Sequence, residues 1–185
     1  MLLELGIDVT VFLLISAAAT SFITAAMGIG GGVLLLVILA SVLPPAALIP
    51  VHGLVQFGSN GNRAVMTRQH VDWGMVKSFS LGACVGAFTA SFIVIQLPLT
   101  LIQLCVGLFI LFLIWGPKLK QHTLSTRGQV LAGAGTTLAS MFVGATGPLV
   151  AGFVHRNNYD KLQTVSTFAT CMSFQHLLKM IVFSV

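Results

Sequence analysis

Charged residues are missing from long stretches of this chain: no Asp, Glu, Lys or Arg lies between Asp8 and Arg63, Lys77 and Lys118, Arg127 and Arg156, or Lys161 and Lys179. At about 20 apolar residues per membrane crossing, these gaps resolve into about six segments. The first, at about 9–43, is interrupted; the second, third and fourth cover about 46–66, 75–95 and 99–116. The fifth, at about 128–154, is interrupted again, and the sixth starts at about 162. The pattern predicts an all-α fold, a polytopic bundle of transmembrane helices forming a single membrane domain over residues 1–185.

Composition agrees. Hydrophobic residues make up 56% of the chain, charged residues 7%, and the mean hydropathy is +1.00, which a soluble domain of this length would not tolerate on its surface. The opening MLLELGID carries Glu4 and Asp8 rather than the positive charge that a cleaved secretory signal needs, so the first apolar segment is expected to be retained. Cys84, Cys105 and Cys171 stand singly in apolar runs and read as helix-packing residues; no metal and no cofactor is expected. The basic residues crowd into RAVMTRQHVDWGMVK and GPKLKQHTLSTRG, whereas QLPLT between the third and fourth segments is uncharged. The positive-inside rule places those two basic loops in the cytoplasm and Gln96 to Thr100 outside, with Trp73 and Trp115 as interfacial anchors. It also accounts for a pI near 9.6 without nucleic acid as a partner.

GIGGG, Gly28 to Gly32, interrupts one of the most apolar stretches with four glycines, each costing a helix interior about 1 kcal/mol relative to alanine. Shifting the chain by 116 residues lays GIGGG on GATGP without a gap, Gly28 on Gly144 and Gly31 on Gly147. The same shift pairs Thr20 with Thr136 and Thr24 with Ser140 before the break, and Arg63 with Lys179 after it. Break, small-residue helix and closing cation recur at one offset, which reads as an internal duplication: repeat 1 at about 5–117 and an incomplete repeat 2 at about 124–185. Duplicated halves with Gly/Pro-interrupted segments in matching positions point to a secondary transporter, because broken backbone at membrane depth must line a cavity or be buried in protein.

A helix restarting after each break aims unpaired N–H groups and the positive end of its dipole at that cavity, a geometry that favours an anion. Glycine lets the backbone meet a ligand without a Cβ in the way, and Pro148 suits the first turn of a helix. Gly28, Gly30, Gly31, Gly32 and Gly147 are therefore candidate substrate-binding residues, joined by the hydroxyls of Thr24 and Thr146. Neither broken segment contains a carboxylate. Farther on, His52, Gln56, Ser59, Asn60 and Arg63 fall on one helical face. Of these, His52, Asn60 and Arg63 join the candidate set: Arg63 because its planar fork suits an oxyanion, the competing role being a snorkelling anchor, and His52 as a proton relay or a neutral histidine bonded to a neighbouring helix. No nucleophile with a base, no paired carboxylates and no metal-ligand cluster occurs, so no enzyme is expected.

An apolar helix, a G-x-G-G-G break, a second apolar run and an arginine closing the next helix, repeated more weakly in the second half, resembles the TauE/SafE family of permeases, also called the sulfite exporter or toluene-sulfonate uptake family. The resemblance spans essentially the whole chain. It implies a permease moving sulfite, organosulfonates or related small anions across the bacterial cytoplasmic membrane, built as two homologous halves. Two departures follow. Thr146 and Pro148 replace Gly30 and Gly32, so the halves are not chemically equivalent. Counterparts of the third and fourth segments are also missing up to Val185, and are expected from a longer chain or from a partner copy in a homo-oligomer. The other functional readings are an ion channel or cation-coupled carrier using carbonyls freed at the breaks, and a membrane scaffold.

Topology has two solutions. If each interrupted segment crosses completely, the N-terminus is cytoplasmic, the halves are parallel and HRNNYDK lies outside. If each is a re-entrant hairpin, Glu4 and Asp8 lie outside, the halves are inverted and HRNNYDK is cytoplasmic. Charge favours the second; segment length favours the first.

Overall fold

The computed structural model describes residues 6–94, 99–116 and 123–184. Glu4, the connection at 95–98 and the basic residues at 117–122 lie outside the described residues, and so do the side assignments resting on them. Eight α-helices make up most of the rest, with no strand among the described residues. They are α1 (Ile7–Met27), α2 (Gly31–Val42), α3 (Pro45–Met66), α4 (Trp73–Val94), α5 (Leu99–Trp115), α6 (Thr126–Val143), α7 (Gly147–Val154) and α8 (Lys161–Ser184). The expected all-α membrane bundle is the observed one. Both interrupted segments are two helices each, parted at residues 28–30 and 144–146.

Local chemistry sets several of these boundaries. Pro45 sits in the first turn of α3, where its missing N–H costs nothing, and the Ser125 hydroxyl caps α6 by accepting from the Gly128 amide at 3.3 Å. Helix α1 and residues 73–93 of α4 are long and apolar enough to cross a membrane. In contrast, α2 has 12 residues and α7 has 8, about 18 Å and about 12 Å at 1.5 Å per residue, too short for a crossing.

Each short helix folds back on its predecessor or its surroundings. Gly31 packs against Thr20 and Thr24 of α1, and Leu35 and Leu39 meet Leu13 and Ala17, so α2 runs antiparallel to α1. Val150 and Val154 of α7 pack with Val71, Met75 and Phe79 around the start of α4. Helix α7 thus returns to the face where α4 begins. Helices α4 and α6 run parallel in the closest contact of the bundle: a Cβ on Gly82 or Gly86 would collide with the carbonyls of Val130 or Ala134, and one on Gly133 with that of Phe79. This is small-residue packing of a membrane interface. Helices α3 and α8 run antiparallel, with Gly53 against Lys179 and Gly61 against Ser173.

Three bonds fix which connections share a face. The Tyr159 hydroxyl donates to Asp72, the Asp72 amide donates to Thr167 Oγ1 at 3.0 Å, and the Asn157 side-chain amide donates to Met75 Sδ at 3.1 Å. HRNNYDK therefore lies on the face that carries Arg63, Arg68 and Lys77. The start of α1 lies at the opposite face, since Thr10 and Leu13 are level with Leu39 and Val51. The α1–α2 hairpin dips in from the face of Asp8 and the α6–α7 hairpin from the opposite, basic face.

The outside of the bundle is apolar: Phe22, Phe88 and Leu14 are exposed, as are Trp73 at the start of α4 on the basic face and Trp115 at the end of α5. Cys171 is buried in the core, but Cys84 is exposed on the outer surface of α4 and does not pack between helices as expected. Polar residues are concentrated inside, where Thr20, His52, Gln56, Asn60, Thr137, Ser140, Gln175, His176 and Lys179 are buried. Such an inverted distribution in a membrane bundle marks an internal polar path.

Candidate functional site

The two breaks begin alike. The Gly28 amide bonds back to the Thr24 carbonyl at 2.9 Å, and the Gly144 amide to that of Ser140 at 3.0 Å. Their φ angles are 87° and 80°, in the left-handed region that favours glycine. Both helices that restart then face one small cavity of about 30 Å³. Gly32 and Val33 of α2 line it from one side, Gly147 and Pro148 of α7 from another, and His52, Gln56, Asn60 and His176 complete the polar lining from α3 and α8. Leu34 is the first amide of α2 bonded within the helix, to the Gly30 carbonyl at 3.1 Å, so the amides of Gly31, Gly32 and Val33 precede the helical ladder. In α7, Leu149 and Val150 are the first to bond, both to the Thr146 carbonyl, and the Gly147 amide precedes them.

Side-chain donors are arranged in a chain along α3. Arg63 Nη1 donates to Asn60 Oδ1 at 3.2 Å, and Asn60 Nδ2 donates to the Gln56 carbonyl and to Gln56 Oε1. This occupies the acceptor of Gln56 and leaves its buried Nε2 without a partner. His52 donates through Nε2 to the Gly32 carbonyl at 2.8 Å, which ties α3 to α2 and leaves Nδ1 unpaired. The His176 ring stands edge-on to it, 5.8 Å between centroids at 69°, with neither nitrogen bonded. Behind the second break, Lys179 Nζ donates to the Gly144 carbonyl at 2.6 Å. No Asp or Glu is buried among the described residues. A small enclosure with two helix N-termini, several N–H donors and no carboxylate suits an anion.

Of the residues expected from sequence, Thr24, Gly30, Gly32, His52, Asn60 and Gly147 meet at this cavity. Four others lie elsewhere. Gly31 is pressed against the Thr20 carbonyl, where no Cβ fits. Thr146 is buried with its hydroxyl exchanging bonds with Gln175. Arg63 is half-buried behind Asn60, away from the lining. Gly28 faces a second, larger cavity of about 310 Å³, bounded by the tip of the first hairpin and by His155, Tyr159 and Lys161. Ile29 and Phe168 border both cavities. His176 and the buried Lys179 were not among the expected residues, although the 116-residue offset that pairs Gly28 with Gly144 also sets His176 on Asn60 and Lys179 on Arg63.

A family model described as Sulfite exporter TauE/SafE matches residues 12–185. The chain belongs to the TauE/SafE family. No curated relative and no solved structure matches it. As a TauE/SafE protein it is an integral membrane permease of the anion-exporter type, and its partners are a small anion and the lipid bilayer. That membership agrees with the interior of the bundle, in which every buried ionisable side chain among the described residues is a histidine, a cysteine or Lys179.

Proposed function

We propose that this TauE/SafE protein carries sulfite or a small organosulfonate across the bacterial cytoplasmic membrane, and that the anion binds between the two breaks. The observation that carries this reading is the pair of unpartnered buried groups, His176 and Gln56 Nε2, at a cavity met by two helix N-termini. A buried donor left unsatisfied costs about 1–3 kcal/mol, so a ligand that accepts from both recovers that free energy on binding. In this reading the amides of Gly32, Val33 and Gly147 and the side chains of His52, His176, Gln56 and Asn60 surround the oxyanion. Lys179 supplies positive charge from behind the second break, and Arg63 orients Asn60. Thr24 and Gly30 shape the wall, while Gly31 and Thr146 hold the breaks in place. At about 30 Å³ the cavity has room for about two water-sized groups, so in this reading the site is closed and widens to admit its substrate.

The two helix–break–helix units, with their following long helices, are read as inverted repeats at about 5–117 and 124–185. The basic face is then cytoplasmic, and alternating access comes from rocking the hairpins about the shared cavity. A cation-coupled carrier needs free carbonyls at the breaks. Those of Gly32 and Gly144 already accept from His52 and Lys179, which favours the anion.

Binding and flux of radiolabelled sulfite by the reconstituted protein test the proposal, with sulfoacetate, sulfate, sodium and potassium as competitors. His176→Leu and Gln56→Leu should each weaken sulfite binding by at least about tenfold, the equivalent of about 1.4 kcal/mol, with the helical content unchanged. Sulfite affinity equal to wild type in both variants, or flux of sodium or potassium in place of the anion, would sink the assignment.

A further inference from the structure

The larger cavity has its own chemistry. Its floor is apolar, formed by Ala25, Ala26, Ile29, Val165 and Phe168, and its rim carries His155 and Lys161 at the basic face. The other polar groups of its lining are already committed. Tyr159 donates to Asp72, and the Thr164 hydroxyl donates to the Asp160 carbonyl at 2.8 Å. Asp160, the neighbouring acid, points its Oδ1 at the Gln163 amide at 2.7 Å and is absent from the lining. Lys161 forms no ion pair among the described residues, so its ammonium is available to a ligand.

At about 310 Å³ this space is roughly ten times the size of the inner cavity, and the two are parted by Ile29 from the first break and Phe168 from α8. An anion approaching from the basic face meets the outer cavity first, and a cationic rim over low-dielectric walls concentrates anions there. The apolar floor gains free energy only from a ligand that also buries carbon.

We propose that this vestibule is a second binding station, for small amphipathic anions such as short alkylsulfonates. The charged head lies at Lys161 and His155, the carbon end rests on Ile29 and Phe168, and those two side chains form the partition to the inner site. The station rests on the anion reading above only in sharing its path; its occupancy is measurable whether or not the inner cavity binds anything.

Ala25→Cys and Val165→Cys place thiols on opposite walls of the vestibule, and each is a small change at an exposed or half-buried position. In the purified full-length protein, the rate of modification by a neutral maleimide is measured with and without butanesulfonate, and is corrected for the exposed native Cys84 using the unsubstituted protein. Butanesulfonate should slow both reactions at least about threefold; sodium sulfate, which lacks the carbon end, and butanol, which lacks the charge, should protect less. Lys161→Gln should remove the protection, Lys161→Arg should keep most of it, and His176→Leu should leave it intact. Unprotected thiols at both positions, or protection that survives Lys161→Gln unchanged, overturn the vestibule. Loss of protection in His176→Leu also overturns it as a separate station, since it would mean that one inner site accounts for the effect.

Discussion

The two breaks open with the same turn and end differently. Gly28 and Gly144 have the same positive φ and the same bond to the residue four positions back. Two residues on, Gly30 has φ 102° while its counterpart Thr146 has φ −99°, so the first break requires a second glycine and the second break does not. The freed position lets Thr146 carry a hydroxyl that bonds Gln175, and Lys179 fastens the Gly144 carbonyl. Around Gly28 and Gly30 a Cβ would meet nothing within 4 Å, whereas at Gly144 it would meet Leu36 at 2.8 Å. The second break is a pinned wall. The first is open on its vestibule side and is the better suited to move, and its Ile29 forms half of the partition.

The largest effect should come from a change made identically in both breaks. Gly31 and Gly147 occupy equivalent positions by offset, but an added Cβ at Gly31 runs into the Thr20 carbonyl and the Thr24 hydroxyl, while at Gly147 it reaches only Phe168 and Met172 at 3.8 and 3.9 Å, ordinary contact distances. Backbone carbonyls do not yield as side-chain tips do. Gly31→Ala should therefore destabilise by about 3 kcal/mol or more through overpacking of the α1–α2 hairpin, and Gly147→Ala by less than about 1 kcal/mol. Thermal unfolding of the two variants in the same detergent checks this; comparable melting temperatures would remove the asymmetry.

The next effect separates charge from stability. Lys179 is wholly buried, and its sole described hydrogen bond is to a neutral carbonyl. An ammonium buried without a counter-ion carries a desolvation cost that methionine does not, so Lys179→Met should leave the melting temperature unchanged or raise it while weakening sulfite binding at least about tenfold. Arg63→Gln, at a half-buried position behind Asn60, should change affinity by less than about threefold, since a neutral amide donor can still bond Asn60 Oδ1. Reversal of that ranking would restore Arg63 as the anion's principal charge.

Much of this was legible in the chain because the membrane simplifies the code. Charge-free runs located the long helices, with α3 at 45–66 against an expected 46–66, and glycine clusters located the breaks. Hairpin closure was less legible: length alone favoured a full crossing at 128–154, and only contacts between α7 and the start of α4 show the return. The anion-facing glycines could not be sorted by sequence, because a glycine is demanded equally by positive φ at Gly30, by close packing at Gly31 and by approach to the cavity at Gly32. The favoured cation was Arg63 for its fork geometry, yet depth matters more than fork. Lys179 lies deeper because α3 and α8 run antiparallel, which brings it against Gly53 in the middle of the bundle, and a pairing of that kind is invisible in a linear offset.

The smallest expected effect concerns how the pinned hairpin is held at its outer end. Tyr159, just beyond α7, donates to Asp72 at the start of α4. Desolvation works against the charged form of Asp72, but the Tyr159 hydroxyl and the amides of Met75 and Gly74 together outweigh it, so the carboxyl titrates below its ordinary 3.8. A carboxylate with a lowered folded-state pKa stabilises fully above its unfolded pKa, and the contribution is lost as the pH falls through the folded value. Tyr159 is shifted the other way, upward from 10.0, first by burial and then by Asp72, so its proton, and with it the bond, is kept throughout neutral pH. Tyr159→Phe should lower the melting temperature at pH 7 by about 2–4 °C, as loss of a bond worth about 1 kcal/mol does in a chain of this size. That difference should shrink as the pH is taken below 3.8, because protonating Asp72 weakens the same bond in the wild type. A difference that stays constant down to acid pH would show that Tyr159 contributes through packing alone, and that the second hairpin owes its fixed position to Lys179 and Gln175 without help from the latch.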